Sequence, residues 1–189
     1  DELRQRVLRP DELMLVYHVM PDRTILWIIG AQQMQMRVLP AGERDIQQRV
    51  ANMRQAMLSN FIDTSIEKLY NPVAAQDMPF VKASYTLFST VLPQDARPLL
   101  TQKTALYIVP SGALYAVPFE ALITHPAQSV DAAHFLLEDV SVSYLSSASL
   151  LKTLRDARTR SADVTRYPLL AFANPDYQTL STQLNGATR

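Results

Sequence analysis

The side chains with the clearest chemical potential in this chain are three histidines, His18, His125 and His134, and they occur without a single cysteine. An imidazole can act as a general base or bind a metal ion, but metal sites place further ligands at fixed spacings, such as two histidines four residues apart. None of the three histidines has such a neighbour. Because the chain has no thiol, cysteine catalysis and disulfides are excluded within it. We therefore expect surface or strand-face histidines.

Hydroxyl and carboxylate side chains are the other candidates for chemistry. Ser146, Ser147 and Ser149 form a cluster, but a serine nucleophile at a strand-to-helix turn would need flanking glycines, which are missing here. Capping of a following helix by Ser146 or Ser147 explains the cluster with fewer assumptions. The adjacent acids Glu138 and Asp139 are expected to be solvated rather than catalytic.

The charge balance of the chain argues against two classes of partner. Lysine and arginine number 18, and aspartate and glutamate also number 18, so the formal net charge at pH 7 is +0. Proteins that bind nucleic acids or membrane surfaces usually carry a basic excess, and no apolar run approaches the roughly 18 residues that would span a bilayer. We therefore expect neither a nucleic-acid nor a membrane partner. The sequence does not name a compartment, although the cytoplasm is favoured.

The first 40 residues predict an antiparallel meander of three strands, at 16–19, 24–29 and 34–38. In the third strand, Met34, Met36 and Val38 alternate with polar residues, which is the period of a half-buried strand. The two methionines could offer a surface for a metal or a promiscuous ligand, but thioether side chains more commonly fill gaps in cores. We therefore expect Met34 and Met36 to pack in the core.

Helices and strands alternate after residue 40. An apolar stripe predicts a helix over 43–58, and similar patterns predict helices over 63–70, over 79–91 and from the serine cluster to 158. Strands are predicted over 105–109, 114–117, 140–144 and 168–173. This alternation is typical of an α/β fold with a mainly parallel sheet flanked by helices. The meander would then be an edge of that sheet or a small preceding subdomain.

Four blocks of residues, in order along the chain, carry a more specific signal. The four blocks are 106–122, 136–151, 170–175 and 184–187. In the first block, a strand ends in proline, and a turn that contains glycine leads to a Pro-Phe-x-x-Leu helix start. These blocks resemble the CHAT family, caspase-like cysteine peptidase domains that are often associated with tetratricopeptide repeats. Weaker similarity extends back through 13–38, so the resemblance covers nearly the whole chain.

The resemblance implies a bipartite caspase-like fold. Residues 1–40 would form the meander, 41–166 a pseudo-caspase-like α/β region, and 167–189 the first strand and following loop of the catalytic unit. The catalytic histidine and cysteine of relatives lie further along than the last block, and no metal or organic cofactor is implied. The implied partners are the C-terminal catalytic portion, in the same or a second chain, a protein substrate and helical-repeat domains. Self-association through an unpaired sheet edge at 169–173 is a further expectation.

Polar residues near the end of the chain are the candidate site residues. Ligands bind beyond the carboxyl ends of strands in open α/β sheets, and Asn174, Asp176 and Asn185 follow the strand predicted at 168–173. The resemblance implies that one or more of these residues line the substrate cleft, whereas the competing explanation is that Asn174 and Asp176 simply belong to a turn. Because several caspase-like families cleave after Arg or Lys, Arg189 is a candidate processing site; a nick at an exposed loop or an arbitrary boundary explains the same terminus.

The resemblance therefore implies that the chain is the N-terminal scaffold part of a CHAT caspase-like cysteine endopeptidase. Its His–Cys dyad would lie C-terminal to this chain and would attack a peptide carbonyl as a thiolate. The chain alone would not catalyse this reaction, because it has no cysteine. The alternative is a non-enzymatic regulatory or protein-interaction module, a pseudopeptidase. An unrelated α/β domain that matches the blocks by chance is a third hypothesis.

Overall fold

The computed structural model describes residues 7–62 and 79–160, with the side chains of 59–62 and 160 excepted. Contacts within the chain divide it into two compact units, Asp1–Ala157 and Arg158–Arg189. All of the elements below belong to the first unit, apart from the last turn of the final helix. The helix predicted at 63–70 and the strand predicted at 168–173 lie outside the described residues.

A five-stranded mixed sheet is the framework of the described residues. Its strands are listed by order in the chain as β1 (Glu12–Val19), β2 (Thr24–Gly30), β3 (Met34–Leu39), β4 (Ala105–Val109) and β5 (Ser141–Tyr144). Their order across the sheet is β3-β2-β1-β4-β5. The β1–β2 and β2–β3 pairs are antiparallel, whereas β1–β4 and β4–β5 are parallel. The sheet is therefore mixed and not mainly parallel as the sequence predicts.

The connections between strands explain this mixture. Tight turns join β1 to β2 and β2 to β3, closed by bonds from Met20 N to Arg23 O and from Gly30 N to Gln33 O, each 2.8 Å long. Turns this short can join only antiparallel strands, because a parallel pair needs a crossover connection of a dozen residues or more. Since β1 lies between β2 and β4, the predicted meander is part of the main sheet.

Helices cover both faces of the sheet. The α-helices are α1 (Glu43–Ile62), α2 (Pro79–Val91), α3 (Leu136–Asp139) and α4 (Leu150–Arg160), and shorter 3-10 helices lie at Gln94–Leu100, Gly112–Ala116 and Phe119–Ala121. The predicted helix over 79–91 is confirmed, and the one predicted over 43–58 extends to Ile62. Within the described ranges, no helix is both long and apolar enough to cross a membrane.

The larger core lies between one face of the sheet and the helices α1 and α2. Leu26 of β2 and Ile108 of β4 are fully buried there, together with Ile46 of α1 and Leu87 of α2. The apolar stripe predicted on α1 is thus confirmed as a core face. A smaller cluster on the opposite face joins Met14, Ile29, Val109 and Leu145 to Leu151 of α4 and to Val7 and Leu8.

The strand predicted over 114–117 is wrong. Gly112 adopts a φ of 57°, a left-handed conformation that suits glycine, and the chain continues as a 3-10 helix with bonds from Leu114 N to Ser111 O and from Val117 N to Leu114 O, each 3.2 Å. Leu114 is fully buried while Tyr115 is 64% exposed. Both edges of β4 are already paired, with β1 and β5, so the segment cannot pair beside it as a return strand.

The core position expected for Met34 and Met36 is also wrong. The predicted alternation is present in β3, but its apolar side chains lie on the solvent-exposed face of the strand. Met34 and Met36 are each 55% exposed, and Val38 is 54% exposed. The polar Gln35 and Arg37 are half-buried instead. Arg37 points toward the helical side, where its Nε donates to Asp95 Oδ2 at 2.8 Å. Alternation gives the period of a strand, whereas the layer that covers it decides which face is buried.

Candidate functional site

The first two sequence blocks meet at the hydroxyl group of Tyr144, the last residue of β5. Its Oη accepts a hydrogen bond from the backbone N of Phe119 at 2.7 Å and bonds the Glu120 carboxylate. The Phe119 ring is buried and meets the Tyr144 ring edge-on, with 6.2 Å between ring centroids. Burial raises the pKa of Tyr144, and the bond to Glu120 acts in the same direction. A neutral phenol therefore fixes the Pro-Phe-x-x-Leu segment to the end of β5.

A second anchor holds the same segment to helix α2. Ser84 is fully buried on α2, where its Oγ donates to Ala121 O at 3.2 Å and accepts from Ile123 N at 2.9 Å. One hydroxyl thus satisfies two backbone groups that would otherwise be buried without partners. The first block is a structural junction between α2, β4 and β5.

The loop after this junction brings together two histidines that are nine positions apart in the sequence. Ile123 and Phe135 form an isolated antiparallel bridge, and Thr124 N donates to His134 O at 2.9 Å. The rings of His125 and His134 consequently meet edge-to-face, with centroids 5.7 Å apart. Sequence analysis misses this pair because it depends on a long-range backbone bridge and not on a metal-ligand spacing.

His134 lies between two carboxylates. Its Nε2 is 2.8 Å from Asp139 Oδ1, and its Nδ1 is 3.5 Å from Glu138 Oε2. The other Glu138 oxygen, Oε1, accepts from Phe135 N at 2.7 Å, which fixes this carboxylate at the start of α3. The hydrogen bond to Asp139 raises the pKa of His134 above its usual value. Both acids are exposed, as the sequence predicts, but they also pair with an imidazole.

A cleft of about 650 Å³ opens beside this pair, within the usual size range of ligand pockets. Thr124 and His125 of the loop and Asp139 of α3 line this cleft. It is also lined by Phe88 of α2 and by residues of the segment that follows α2, namely Gln94, Arg97, Thr101 and Gln102. The Arg97 guanidinium lies 4.9 Å from the Phe88 ring centroid and donates to Ser89 Oγ at 2.9 Å. The cleft thus presents a cation, a carboxylate and an imidazole.

The arrangement binds protons and polar groups, but it does not activate a nucleophile. The Thr124 hydroxyl lies 2.9 Å from His125 Nδ1, the contact that a hydroxyl nucleophile would need. However, Thr124 is 4% exposed and its Oγ1 donates its single proton to His134 O at 3.2 Å, so this proton is not directed at His125. Within the described ranges, no three histidine, aspartate or glutamate residues are placed to hold a metal ion.

Helix α4 is attached to the sheet by a charged contact that the sequence does not reveal. The Glu12 carboxylate, 5% exposed, accepts two hydrogen bonds from Arg155 Nη2, at 2.5 and 2.6 Å. It also accepts from Arg9 N at 2.7 Å and from Tyr107 Oη at 3.3 Å. Burial opposes ionisation of Glu12, but these hydrogen bonds hold its pKa below the ordinary value.

The residues singled out from the sequence have different outcomes. Asn174, Asp176, Asn185 and Arg189 lie outside the described residues. His18 is exposed on β1, as expected for a strand-face histidine.

The cap expected at Ser146 or Ser147 is wrong by two or three positions, because α4 begins at Leu150. Ser149 therefore stands directly before the helix, and its Oγ lies 3.1 Å from Ser147 Oγ.

Comparison with known proteins identifies a family and also a weak structural likeness. A solved structure titled "PilM-PilN type IV pilus biogenesis complex" is 14% identical over 75% of this chain and 38% of that chain, with a TM-score of 0.30. That likeness is too low to support an argument, and this chain spans well under half of that one. No curated protein is similar enough to count as a match. The CHAT domain family model matches residues 79–188, more than half of the sequence and including β4, β5 and α4. The chain belongs to the CHAT domain family.

Proposed function

We propose that this chain is the N-terminal structural part of a CHAT caspase-like cysteine endopeptidase. The observation that carries the proposal is the family match over residues 79–188 in a chain that contains no cysteine. A cysteine peptidase attacks the peptide carbonyl with a thiolate. We therefore propose that sequence outside this chain supplies the thiolate, together with the activating histidine that the family resemblance assigns there.

The role of this chain in such an enzyme is to hold the sheet on which the catalytic unit is assembled. The two parallel pairs are β1–β4 and β4–β5. The strands of the second half, β4 and β5, are therefore both added on the same side of β1. The contact of Tyr144 with Phe119 fixes β5 at that side, and the contact of Arg155 with Glu12 fixes α4 to β1. Catalytic strands added next to β5 would be held by these contacts. Such support is needed because a His–Cys dyad must be positioned precisely.

The test is intact mass spectrometry of the endogenous protein, purified under native conditions and measured under denaturing conditions. We expect the residues of this chain to be recovered together with a cysteine-bearing polypeptide segment, either continuous with them or as a second chain. The same material is expected to hydrolyse fluorogenic peptides that contain arginine or lysine, with activity lost after alkylation of the cysteine. Controls are unalkylated protein and protein alkylated in the presence of a competing peptide.

Two outcomes separate the proposal from its main alternative. A cysteine-bearing partner with alkylation-sensitive hydrolysis supports the peptidase. Recovery of this chain with other proteins, but with neither a reactive cysteine nor hydrolysis, overturns it and favours a pseudopeptidase that works as an interaction module.

A further inference from the structure

A second cleft, separate from the one beside His125, lies between helices α1 and α2. It encloses about 290 Å³ and is lined by Arg49 and Asn52 of α1 and by Pro79, Lys82, Ala83 and Thr86 of α2. Two of these six residues are cations, and none is acidic. Because the chain as a whole has as many acidic as basic residues, a cleft lined by cations without an acid is a local concentration of positive charge.

The strongest indication of a missing partner is the Nε atom of Arg49. This atom is buried, yet it has no hydrogen-bond partner among the residues that the structure describes. A guanidinium carries five N–H donors and no acceptor, so the missing partner must be an acceptor. Buried donors of charged groups are rarely left without one, because they lose their hydration and gain nothing in return. Because Arg49 also lines the cleft, a group that brings oxygen atoms into it would meet a guanidinium whose donors are not all used.

The other lining groups point to the same kind of ligand. Lys82 contributes an ammonium group from the exposed side of α2. Gln48 Nε2 donates to Asn52 Oδ1 at 2.8 Å, which occupies the amide oxygen and leaves the Asn52 amide N–H groups to donate. Pro79 is the first residue of α2, so the positive end of that helix dipole lies at the cleft.

We propose that the cleft between α1 and α2 binds an oxyanion, either a carboxylate or a phosphate group. A volume of about 290 Å³ is at the lower limit of ligand pockets, so the site accommodates a small ion or one anionic group of a larger molecule. Arg49 supplies guanidinium N–H donors and one positive charge, and Lys82 supplies a second charge. This inference is independent of the proposed peptidase role.

The experiment is an NMR titration of the ¹⁵N-labelled full chain that follows the Arg49 Nε–H resonance. Inorganic phosphate and acetate are added separately, each against sodium chloride at equal ionic strength. We expect a saturable shift with at least one oxyanion and none with chloride. The comparison of phosphate with acetate decides which chemistry the site prefers. Arg49→Gln and Lys82→Gln are each expected to weaken binding about tenfold or more, since each removes a charge-assisted contact.

Arg54→Gln is the matched control, because Arg54 is exposed on the same helix and does not line the cleft. It makes the same change in net charge and is expected to leave the affinity unchanged. Arg49→Lys retains the charge but removes the guanidinium donor, and it is expected to bind more weakly than the unmodified chain even if Arg49→Gln fails to fold. Shifts that do not saturate, or an equal loss in Arg54→Gln, would show general ionic screening and overturn the proposal.

Discussion

Arg155 of α4 bonds both carboxylate oxygens of Glu12 on β1, at 2.5 and 2.6 Å, although 143 positions separate the two residues. The contact joins the first strand of the sheet to the last described helix. Because the Glu12 carboxylate is almost fully buried, the arginine compensates a charge that water cannot reach.

Removal of this arginine tests the contact. Arg155→Met leaves the Glu12 carboxylate buried without its main partner, and we expect the free energy of unfolding to fall by about 2 kcal/mol in urea denaturation. Lys152→Met is the control on the same helix: the side chains of its 2.9 Å ion pair with Asp156 are 43% and 45% exposed, far more than that of Glu12, and we expect a loss of about 0.5 kcal/mol or less. The double variant Glu12→Gln/Arg155→Met should be more stable than Arg155→Met alone. A double variant that is no more stable would contradict this interpretation.

The Tyr144 side chain is 44% exposed, but its hydroxyl is expected to contribute to stability because it accepts a backbone hydrogen bond. Tyr144→Phe leaves Phe119 N without its acceptor, so we expect a loss of about 1–2 kcal/mol in the free energy of unfolding. Tyr115→Phe removes the same atom from a side chain that is 64% exposed, and it should change stability by less than about 0.5 kcal/mol. Thermal and urea unfolding of both variants make the comparison. Equal effects would mean that the junction does not depend on this bond.

The ion pair of His134 gives a pH dependence of known sign. Because the bond to Asp139 raises the folded-state pKa of His134, the contribution of the pair to stability is complete below the unfolded-state pKa of about 6.5. It is lost as the pH rises through the raised folded-state pKa.

The measurement is an NMR titration of the His134 ring protons. Asp139→Asn should lower the His134 pKa more than Glu138→Gln does, since the two carboxylates lie 2.8 and 3.5 Å from the ring nitrogens. A His134 pKa that stays raised in Asp139→Asn would assign the effect to another group.

Gly42 is expected to tolerate no side chain. A Cβ atom at this position would lie 2.3 Å from Pro21 O, a backbone atom that cannot move away cheaply. We therefore expect Gly42→Ala to lower the free energy of unfolding by about 1–3 kcal/mol. At Gly30 the nearest atom to a Cβ is Leu13 Cδ1 at 3.6 Å, so Gly30→Ala should be neutral or stabilising by about 0.5 kcal/mol. Chemical denaturation of the two alanine variants measures the difference.

Sequence patterns predict the order of elements well because each pattern reflects a local property. The apolar stripe of α1 and the apolar run of β4 are visible in the local sequence, and both elements are confirmed. The face of β3 is not local, since a covering layer from elsewhere in the chain decides whether Met36 or Arg37 is buried. The same limit applies to 114–117, where the neighbours of β4 leave no place for a return strand.

The candidate sites depend even more on distant contacts. The His125–His134 pair forms because Ile123 bridges Phe135. The cleft between α1 and α2 forms because these helices pack together, which brings Arg49 and Lys82 to the same cleft. No spacing rule brings either set together from the sequence. The four-block resemblance gave the family, which the match over 79–188 confirms.

The central position of β1 sets the boundary of the folding unit. The family match begins at residue 79, yet β4 pairs in parallel with β1 from Glu12↔Ala105 to Val16↔Val109. A segment cut at the start of the match would lose three of the five described strands and would open one whole side of β4 to solvent, next to the fully buried Leu106 and Ile108. The region matched by the family model is therefore smaller than the region that builds the sheet of this chain, and a segment transferred from this chain into another protein must carry β1 or be given a substitute strand.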